Sequence, residues 1–422
     1  MLLKRKNARI RKEGIGYLIL IEGTTLYLNK SAYFTFLLLN GKTSTEDIAR
    51  KMDSHFEVGD IERVRRDTDR IIGKFKEYGI LEGYPLQIPY GDFLPNLPTY
   101  LTWCITKKCN LSCRHCYIDY SCRETGKEEL MIILEKIKKI RPFLVILTGG
   151  EPLMREEVFV ILETLKRQGT DILLETNSTL ITSSMAQRIS ENCPSAQVSM
   201  YSSSESMHDH MTRVEGSFKK MMKGTALLKE NGVDIRFNCV LHRKNMNEIK
   251  KIAKLALKQG DRIKFTTIDN LGRSKNLPDY ALSREEYMKV ARTVQALQEQ
   301  YQEEKILMHS PYIHIKDGAY IFDRSICTAG SSGCMVDFDG TVKLCEKIPL
   351  KVGTLIEGNM EEIWGCEIME DMRHITEKVG GKCSSCSFLP TCRGGCRAES
   401  YIRTNDLYGE DPICWIGDKN VH

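Results

Sequence analysis

The stretch Cys109–Tyr117, CNLSCRHCY, places three cysteines at spacings of four and three, with a histidine directly before the last. Three readings compete for such a loop: zinc ligands, a disulfide framework, or the anchor of an iron–sulfur cluster with one iron left open. Structural zinc takes four ligands, typically as two CxxC knuckles. Here a CxxxC overlaps a CxxC, and His115 adjoins Cys116 too closely to reach the same ion without strain. A cubane [4Fe–4S] cluster takes four ligands, so three thiols would leave one iron free. The spacing favours the cluster.

The surrounding rhythm supports that choice. YLTWCIT, before the loop, has the character of a strand, and five more strands follow it: FLVILTGGE, DILLETNS, AQVSMYSS, DIRFNCVLH and RIKFTTIDNLG. A helical segment separates each from the next, which argues for a parallel β/α sheet or partial (β/α)6 barrel. Sites in such folds lie at the C-terminal ends of the strands. The cysteine loop, TGGEP and TNS each end a strand.

The first 83 residues form a different kind of module. GYLILIEG and TLYLN suggest two short strands across a turn at Glu22–Thr24, and Ser31–Asn40 a helix ending before Gly41. Thr43 with Glu46 three residues later predicts a capping box that opens a second helix. Ile61, Val64, Thr68, Ile71, Ile72 and Phe75 mark the apolar stripe of a third. This is the make-up of a small winged-helix-like α+β domain. A Pro- and Gly-rich linker, YPLQIPYGDFLPNLP, follows it. The expected domains are 1–90, 98–305 and 306–422.

The chain has 422 residues, 41% hydrophobic and 28% charged, as in an ordinary globular protein. No apolar run approaches the length of a membrane span. The basic N-terminus MLLKRKNARIRKEG lacks a signal-peptide core, so a cytoplasmic location is expected. A net charge of +5 with interspersed signs gives no footing for nucleic-acid binding. The sixteen cysteines are clustered, which in a reducing compartment points to metal rather than disulfides. Besides the triplet, eight form a C-terminal pattern, CTAGSSGCMVDFDGTVKLC, then CSSCSFLPTCRGGC, then Cys414. Eight thiols are enough for two clusters of four ligands each, although CSSC…CRGGC alone also suits a zinc ribbon. Cys104, Cys122, Cys193, Cys239 and Cys366 are scattered and fit buried small apolar positions. Cys239 and Cys122 are also the thiols available as hydrogen donors.

A Cx3Cx2C loop after the first strand of a β/α barrel resembles the radical S-adenosylmethionine (radical SAM) superfamily, over about Tyr100 to Gln300. The resemblance implies that Cys109, Cys113 and Cys116 hold a [4Fe–4S] cluster whose open iron chelates S-adenosyl-L-methionine, which is cleaved reductively to a 5′-deoxyadenosyl radical. It further implies that Gly149, Gly150 and Glu151 of TGGEP meet the SAM amino group, and that Asn177 and Ser199 contact its ribose or carboxylate. Glycines allow close backbone approach, and Glu151 offers an acceptor. HDHMTRVEG departs from the family pattern: Thr212 stands where relatives carry an arginine, and Arg213 comes one position later. His115 and Tyr117 fit packing around the cluster.

The C-terminal pattern resembles the SPASM extension of radical SAM enzymes. It implies two auxiliary [4Fe–4S] clusters, one on Cys327, Cys334, Cys345 and Cys396, the other on Cys383, Cys386, Cys392 and Cys414, making three in all. Cys334 also suits a core position at the start of the strand CMVDF. Residues 14–83 resemble the RiPP recognition element, which binds the leader of a ribosomal precursor peptide as an added strand. Together these imply a peptide-modifying oxidoreductase fed by an electron donor such as flavodoxin or ferredoxin. Its expected product is a thioether cross-link, then a C–C or C–O cross-link, or an epimerised residue. A maturase of a folded enzyme (formylglycine or quinone cofactor formation) and a non-catalytic Fe–S or zinc scaffold are the alternatives.

Overall fold

A computed structural model describes residues 2–22, 24–86, 95–118, 124–302, 304–308, 315–316, 319–320 and 327–414. Cys122 and the middle of the linker lie outside the described residues. The chain divides into two compact units, Met1–Asn96 and Leu97–His422.

In the first unit, β2 (Arg9–Glu13), β3 (Gly16–Ile21) and β4 (Thr24–Leu28) form an antiparallel sheet in that order, while β1 (Leu2–Lys4) pairs with β5 (Asn40–Ser44). The helices are α1 (Lys30–Leu38), α2 (Thr45–Phe56) and α3 (Ile61–Glu77). Sequence patterning anticipates β3, β4 and the three helices but not β1, β2 or β5. The charged run RIRKE hides β2, because Arg11 and Glu13 turn inward and pair with each other in a buried ion pair. The expected cap also moves by one residue. Thr43 belongs to β5, so Ser44 caps α2 by accepting from the Asp47 N–H at 3.1 Å. Likewise α1 ends at Leu38, since Asn40 already pairs with Lys4. On α3, Val64, Thr68, Ile72 and Phe75 are buried and Ile71 partly so, whereas Ile61 stays exposed at the first turn.

The second unit holds the barrel. Its strands are β6 (Tyr100–Cys104), β7 (Leu144–Thr148), β8 (Asp171–Thr176), β9 (Ser195–Ser199), β10 (Asp234–Leu241) and β11 (Arg262–Thr267). They are connected through α4 (Lys127–Ile140), α5 (Val158–Arg167), α6 (Ser183–Asn192), α7 (Glu205–Thr212) with α8 (Ser217–Glu230), and α9 (Ile249–Gln259). Then come α10 (Arg284–Tyr301), β12 (Ile306–Met308) and a short pair, β13 (Ile315–Lys316) with β14 (Ala319–Tyr320). β15 (Gly333–Val336), β16 (Thr341–Lys343) and β17 (Lys351–Thr354) complete the strands.

Neighbouring strands from β12 through β6 to β15 are parallel, in the order β12-β11-β10-β9-β8-β7-β6-β15, and β16 and β17 continue the sheet antiparallel. The cysteine-rich C-terminal segment is thus joined to the barrel through β15, which pairs with the whole of β6 up to Trp103.

Strand alternation divides each barrel strand into two sets. Leu101, Trp103, Val145, Leu147, Ile172, Leu174, Val198, Phe237 and Phe265 are buried in the common apolar core. α4 joins it with Leu130, Ile133, Leu134, Ile137 and Ile140, a 3.6-residue stripe. Burying each large side chain contributes about 1.5–3 kcal/mol. The alternate residues, including Thr148, Glu175, Gln197, Ser199, Asn238 and Lys264, line a cavity instead.

Cys239 belongs to the apolar set and is fully buried. Cys239→Ala should therefore lower stability by about 1 kcal/mol in a denaturant titration. Iron bound per chain and catalytic turnover should be unchanged.

Candidate functional site: a three-cysteine loop above a polar barrel interior

The chain leaving β6 is fastened to the chain leaving β7 by backbone hydrogen bonds. Ile105 N–H donates to Thr148 O at 2.9 Å, Gly150 N–H to Thr106 O at 2.8 Å, and Glu151 N–H to Lys108 O at 2.8 Å. The approach is so close that a Cβ on Gly149 would overlap Thr106 O and one on Gly150 would overlap Lys108 O. Gly149 also sits at φ +151°, in a region side chains avoid.

From this fastening the cysteine loop springs, and three further elements pin it. Asn177, after β8, donates to Asn110 Oδ1 at 2.9 Å, and Asn110 donates to Thr179 at 2.7 Å. The last carbonyls of α7 accept from the loop: Met211 O from Arg114 N–H at 2.8 Å, and Thr212 O from Ser112 N–H at 3.1 Å. Those carbonyls have no partner within their own helix. Arg273 N–H, after β11, donates to Cys116 O at 2.9 Å. Thr212, at the departure from the family pattern, thus acts through its backbone. Arg213 is exposed at the left-handed C-cap of α7.

Cys109, Cys113 and Cys116 all line a cavity of about 250 Å³, together with His115 and Tyr117. Burial, with Glu151 and Cys116 beside it, pushes the Cys109 thiol up to about 11, and burial with Cys116 and Cys109 pushes Cys113 up to about 12. Ionising the buried Cys109 and Cys113 thiols calls for added positive charge, which an iron–sulfur centre held by this loop would supply, and the soft donor set suits it. Among the described residues no three His, Cys, Asp or Glu side chains converge tightly enough to ligate a single ion.

The surrounding groups are matched to sulfur. Asn177 Nδ2 lies 3.9 Å from the Cys109 sulfur, and the Tyr201 side chain lies beside Cys113 and Ser199. His115 stands edge-on to Tyr201 at 4.5 Å. Burial holds its pKa down at about 4, so it is neutral at pH 7.

The other expected contacts divide. Gly149, Gly150, Asn177 and Ser199 line the cavity. Glu151 is fully buried beneath it and accepts from Thr176 Oγ1 at 2.8 Å, Leu153 N–H at 3.1 Å and Asn177 N–H at 2.7 Å. Its carboxylate therefore ties the end of β8 to the turn after β7. Burial raises it to about 7, against the pull of those three bonds.

Sequence reading missed the cavity floor. Glu175 accepts from Thr148 at 2.8 Å and from Gln197 at 2.5 Å, and Asn238 and Lys264 continue the row in register on β10 and β11. The usable signal was a polar residue at every second position of otherwise apolar strands.

A second cavity, of about 340 Å³, collects Cys327, Cys334, Cys345 and Cys396. Lys264, Thr267, Asp269, Glu346 and Lys347 border both cavities. Lys347 donates to Asp269 at 2.8 Å within that wall. Burial pushes Cys345 and Cys334 upward and Cys396 to about 12.

The remaining four thiols are also brought together. Cys383, Cys392 and Cys414 are buried, Cys392 feels the charges of Cys414 and Cys383, and Cys383 that of Cys386. Asp411 braces both groups, accepting from Cys396 N–H at 2.8 Å and Ile413 N–H at 2.9 Å, while its carbonyl accepts from Cys414 N–H at 3.0 Å. Cys104 and Cys193 are buried and Cys366 is half-buried.

The comparisons with known proteins agree with this geometry. Residues 103–256 match the radical SAM superfamily, 327–387 the SPASM iron-sulfur cluster-binding domain, and 16–81 coenzyme PQQ synthesis protein D (PqqD). The chain thus carries radical SAM, SPASM and PqqD-type domains, the first two of which are those of enzymes that bind iron–sulfur clusters and S-adenosylmethionine. AdoMet-dependent heme synthase of Nitratidesulfovibrio vulgaris is 24% identical over 74% of this chain and 91% of its own length. Mycofactocin maturase MftC of Mycolicibacterium smegmatis is 25% identical over 76% of this chain and 83% of its own. Among solved structures, SuiB of Streptococcus suis bound to S-adenosylmethionine superposes with a TM-score of 0.71 at 15% identity, covering 98% of this chain and 100% of that one. SuiB has also been solved bound to its precursor peptide SuiA, at TM-score 0.70, 14% identity and coverage of 98% and 100%.

Gly150→Ala should prevent the cysteine loop from seating on the β7 turn. The reconstituted variant is expected to lose the visible absorption of one cluster and at least about 100-fold in SAM cleavage, since a displacement of about 1 Å can cost that much.

Proposed function

We propose that this enzyme is a peptide maturase that modifies a ribosomally made precursor held by its leader. The observation that carries the reading is the first unit. Its antiparallel three-stranded sheet ends in an edge strand on each side, β2 and β4. Such edges take an extended peptide as an added strand, with affinity from the backbone and specificity from side-chain pockets. Two of the compared proteins, a mycofactocin maturase and SuiB with its precursor peptide, support the same reading.

In this reading Cys109, Cys113 and Cys116 hold the SAM-binding cluster, and the two C-terminal sets hold auxiliary clusters, three [4Fe–4S] centres in all. When bound, these groups would supply the radical chemistry that removes a hydrogen atom from the precursor. The protein's own residues orient and enclose. Gly149, Gly150, Asn177 and Ser199 face SAM, and Glu151 keeps the β7 and β8 ends in register. The polar row from Glu175 to Lys264 shapes the floor under the reacting residue. A reacting residue on the wall shared by the cavities would lie between the loop and the first auxiliary set, which suits closure of a thioether, C–C or C–O cross-link. A flavodoxin or ferredoxin is the reductant. Among the described residues no helix is long and apolar enough to cross a membrane, and the clustered free thiols suit a reducing compartment such as the cytoplasm.

Two experiments test this. Cys109→Ala/Cys113→Ala/Cys116→Ala should retain about two-thirds of the iron, as expected of two cubanes out of three, and lose all SAM cleavage. Persistent cleavage would refute the assignment of the loop. Removal of residues 1–96 should leave dithionite-driven SAM cleavage intact while precursor binding and modification collapse. If the truncated enzyme instead turned over an iron tetrapyrrole, the heme-synthase relationship would describe it better.

A further inference from the structure

We propose that the face made by the half-buried Arg114 and the exposed Arg213, Lys219, Lys220 and Lys223 docks an acidic one-electron carrier protein, which reduces the centre on Cys109, Cys113 and Cys116. The proposal rests on the radical SAM reading of that loop and adds the place where its electron enters.

Arg114 lies inside the cysteine loop itself, and its Nε donates to His210 O at 3.0 Å, on α7. Arg213 follows at the end of α7, and the first two turns of α8 expose Lys219, Lys220 and Lys223. The acids nearby are few. Glu205 pairs with Lys219 at 2.9 Å, and Glu215 is exposed. Asp209 is turned inward, accepting from Gly216 N–H at 2.7 Å, Ser217 Oγ at 2.8 Å and Phe218 N–H at 2.8 Å. Lys220 and Lys223 have no ion-pair partner among the described residues. Five bases against two acids is a local excess in a chain whose whole net charge is +5, and a one-signed patch raises the encounter rate of an oppositely charged partner.

The inner side of the same segment leads to sulfur. The Phe218 ring meets His208 at 5.5 Å, His208 stacks on Tyr201 at 5.5 Å, and the Tyr201 side chain lies beside Cys113. A protein seated on this face is thus only three rings from a cysteine sulfur. α9 offers an internal contrast. It exposes Lys250, Lys251, Lys254 and Lys258, but its last turns run away from the strand ends that carry the loop. The step itself moves one electron: a flavin hydroquinone becomes a semiquinone, and the centre gains the electron.

The test uses full-length reconstituted enzyme with flavodoxin as the carrier. Lys219→Glu/Lys220→Glu/Lys223→Glu should slow the bimolecular reduction by flavodoxin hydroquinone about tenfold or more at low ionic strength, flatten its salt dependence, and weaken binding of oxidised flavodoxin in calorimetry. Dithionite-driven SAM cleavage should stay at the wild-type rate. The milder Lys220→Gln/Lys223→Gln should move the rate in the same direction by less. Lys254→Glu/Lys258→Glu should behave as wild type. Unchanged flavodoxin kinetics and binding in the first variant, or an equal loss in the α9 variant, would overturn the proposal. Failure of wild-type enzyme to cleave SAM with dithionite would strike the radical SAM reading instead.

Discussion

The structure depends on one backbone fastening, the close approach of Gly149 and Gly150 to Thr106 and Lys108. It fixes where the chain leaves β6 and therefore where the three cysteines stand relative to the barrel axis. Everything else at the mouth of the barrel is secondary bracing. Asn177 and Thr179, the open carbonyls of α7, and Arg273 all hold a loop whose origin is already set. Glu151 fits the same logic, for its buried carboxylate gathers donors from the end of β8 and the turn after β7. Burial favours its neutral form in so dry a place, and the three converging donors oppose that pull.

The large elements were legible because two periods dominate this chain. Alternation marks β6 to β11, and the 3.6-residue stripe marks α3 and α4. The thiol sets were legible through spacing, since a Cx3Cx2C loop needs no long-range information to be noticed. What escaped notice did so for physical reasons. RIRKE does not look like a strand because its inward residues, Arg11 and Glu13, neutralise each other inside the unit. The floor residues Glu175, Gln197, Asn238 and Lys264 lie on four different strands, and only sheet register makes them neighbours. Glu151 shows the reverse failure: its position in TGGEP was plain, while the direction of its side chain was set by Thr176 and the Asn177 N–H.

The polar interior changes what the barrel is for. A barrel filled by aliphatic side chains is a rigid core, whereas here the inward set is hydrogen-bonding and charged and the apolar set lies under the helices. Lys264, Asp269, Glu346 and Lys347 belong to two cavities at once. A substrate residue resting on that wall would face the loop cysteines on one side and the first C-terminal set on the other. In the proposed reaction, radical generation and the removal of the surplus electron would then fall on opposite sides of a single reacting carbon.

The pairing of β15 with β6 has an evolutionary consequence. β6 carries the cysteine loop, and without β15 its flank would be an open template for another chain's strand. The SPASM segment thus serves as an edge guard as well as a holder of thiols, and the two duties are inherited together. A lineage could exchange the thiols of Cys327–Cys414 one at a time and alter its redox chemistry, yet it could not discard the segment without leaving its most sensitive strand uncovered.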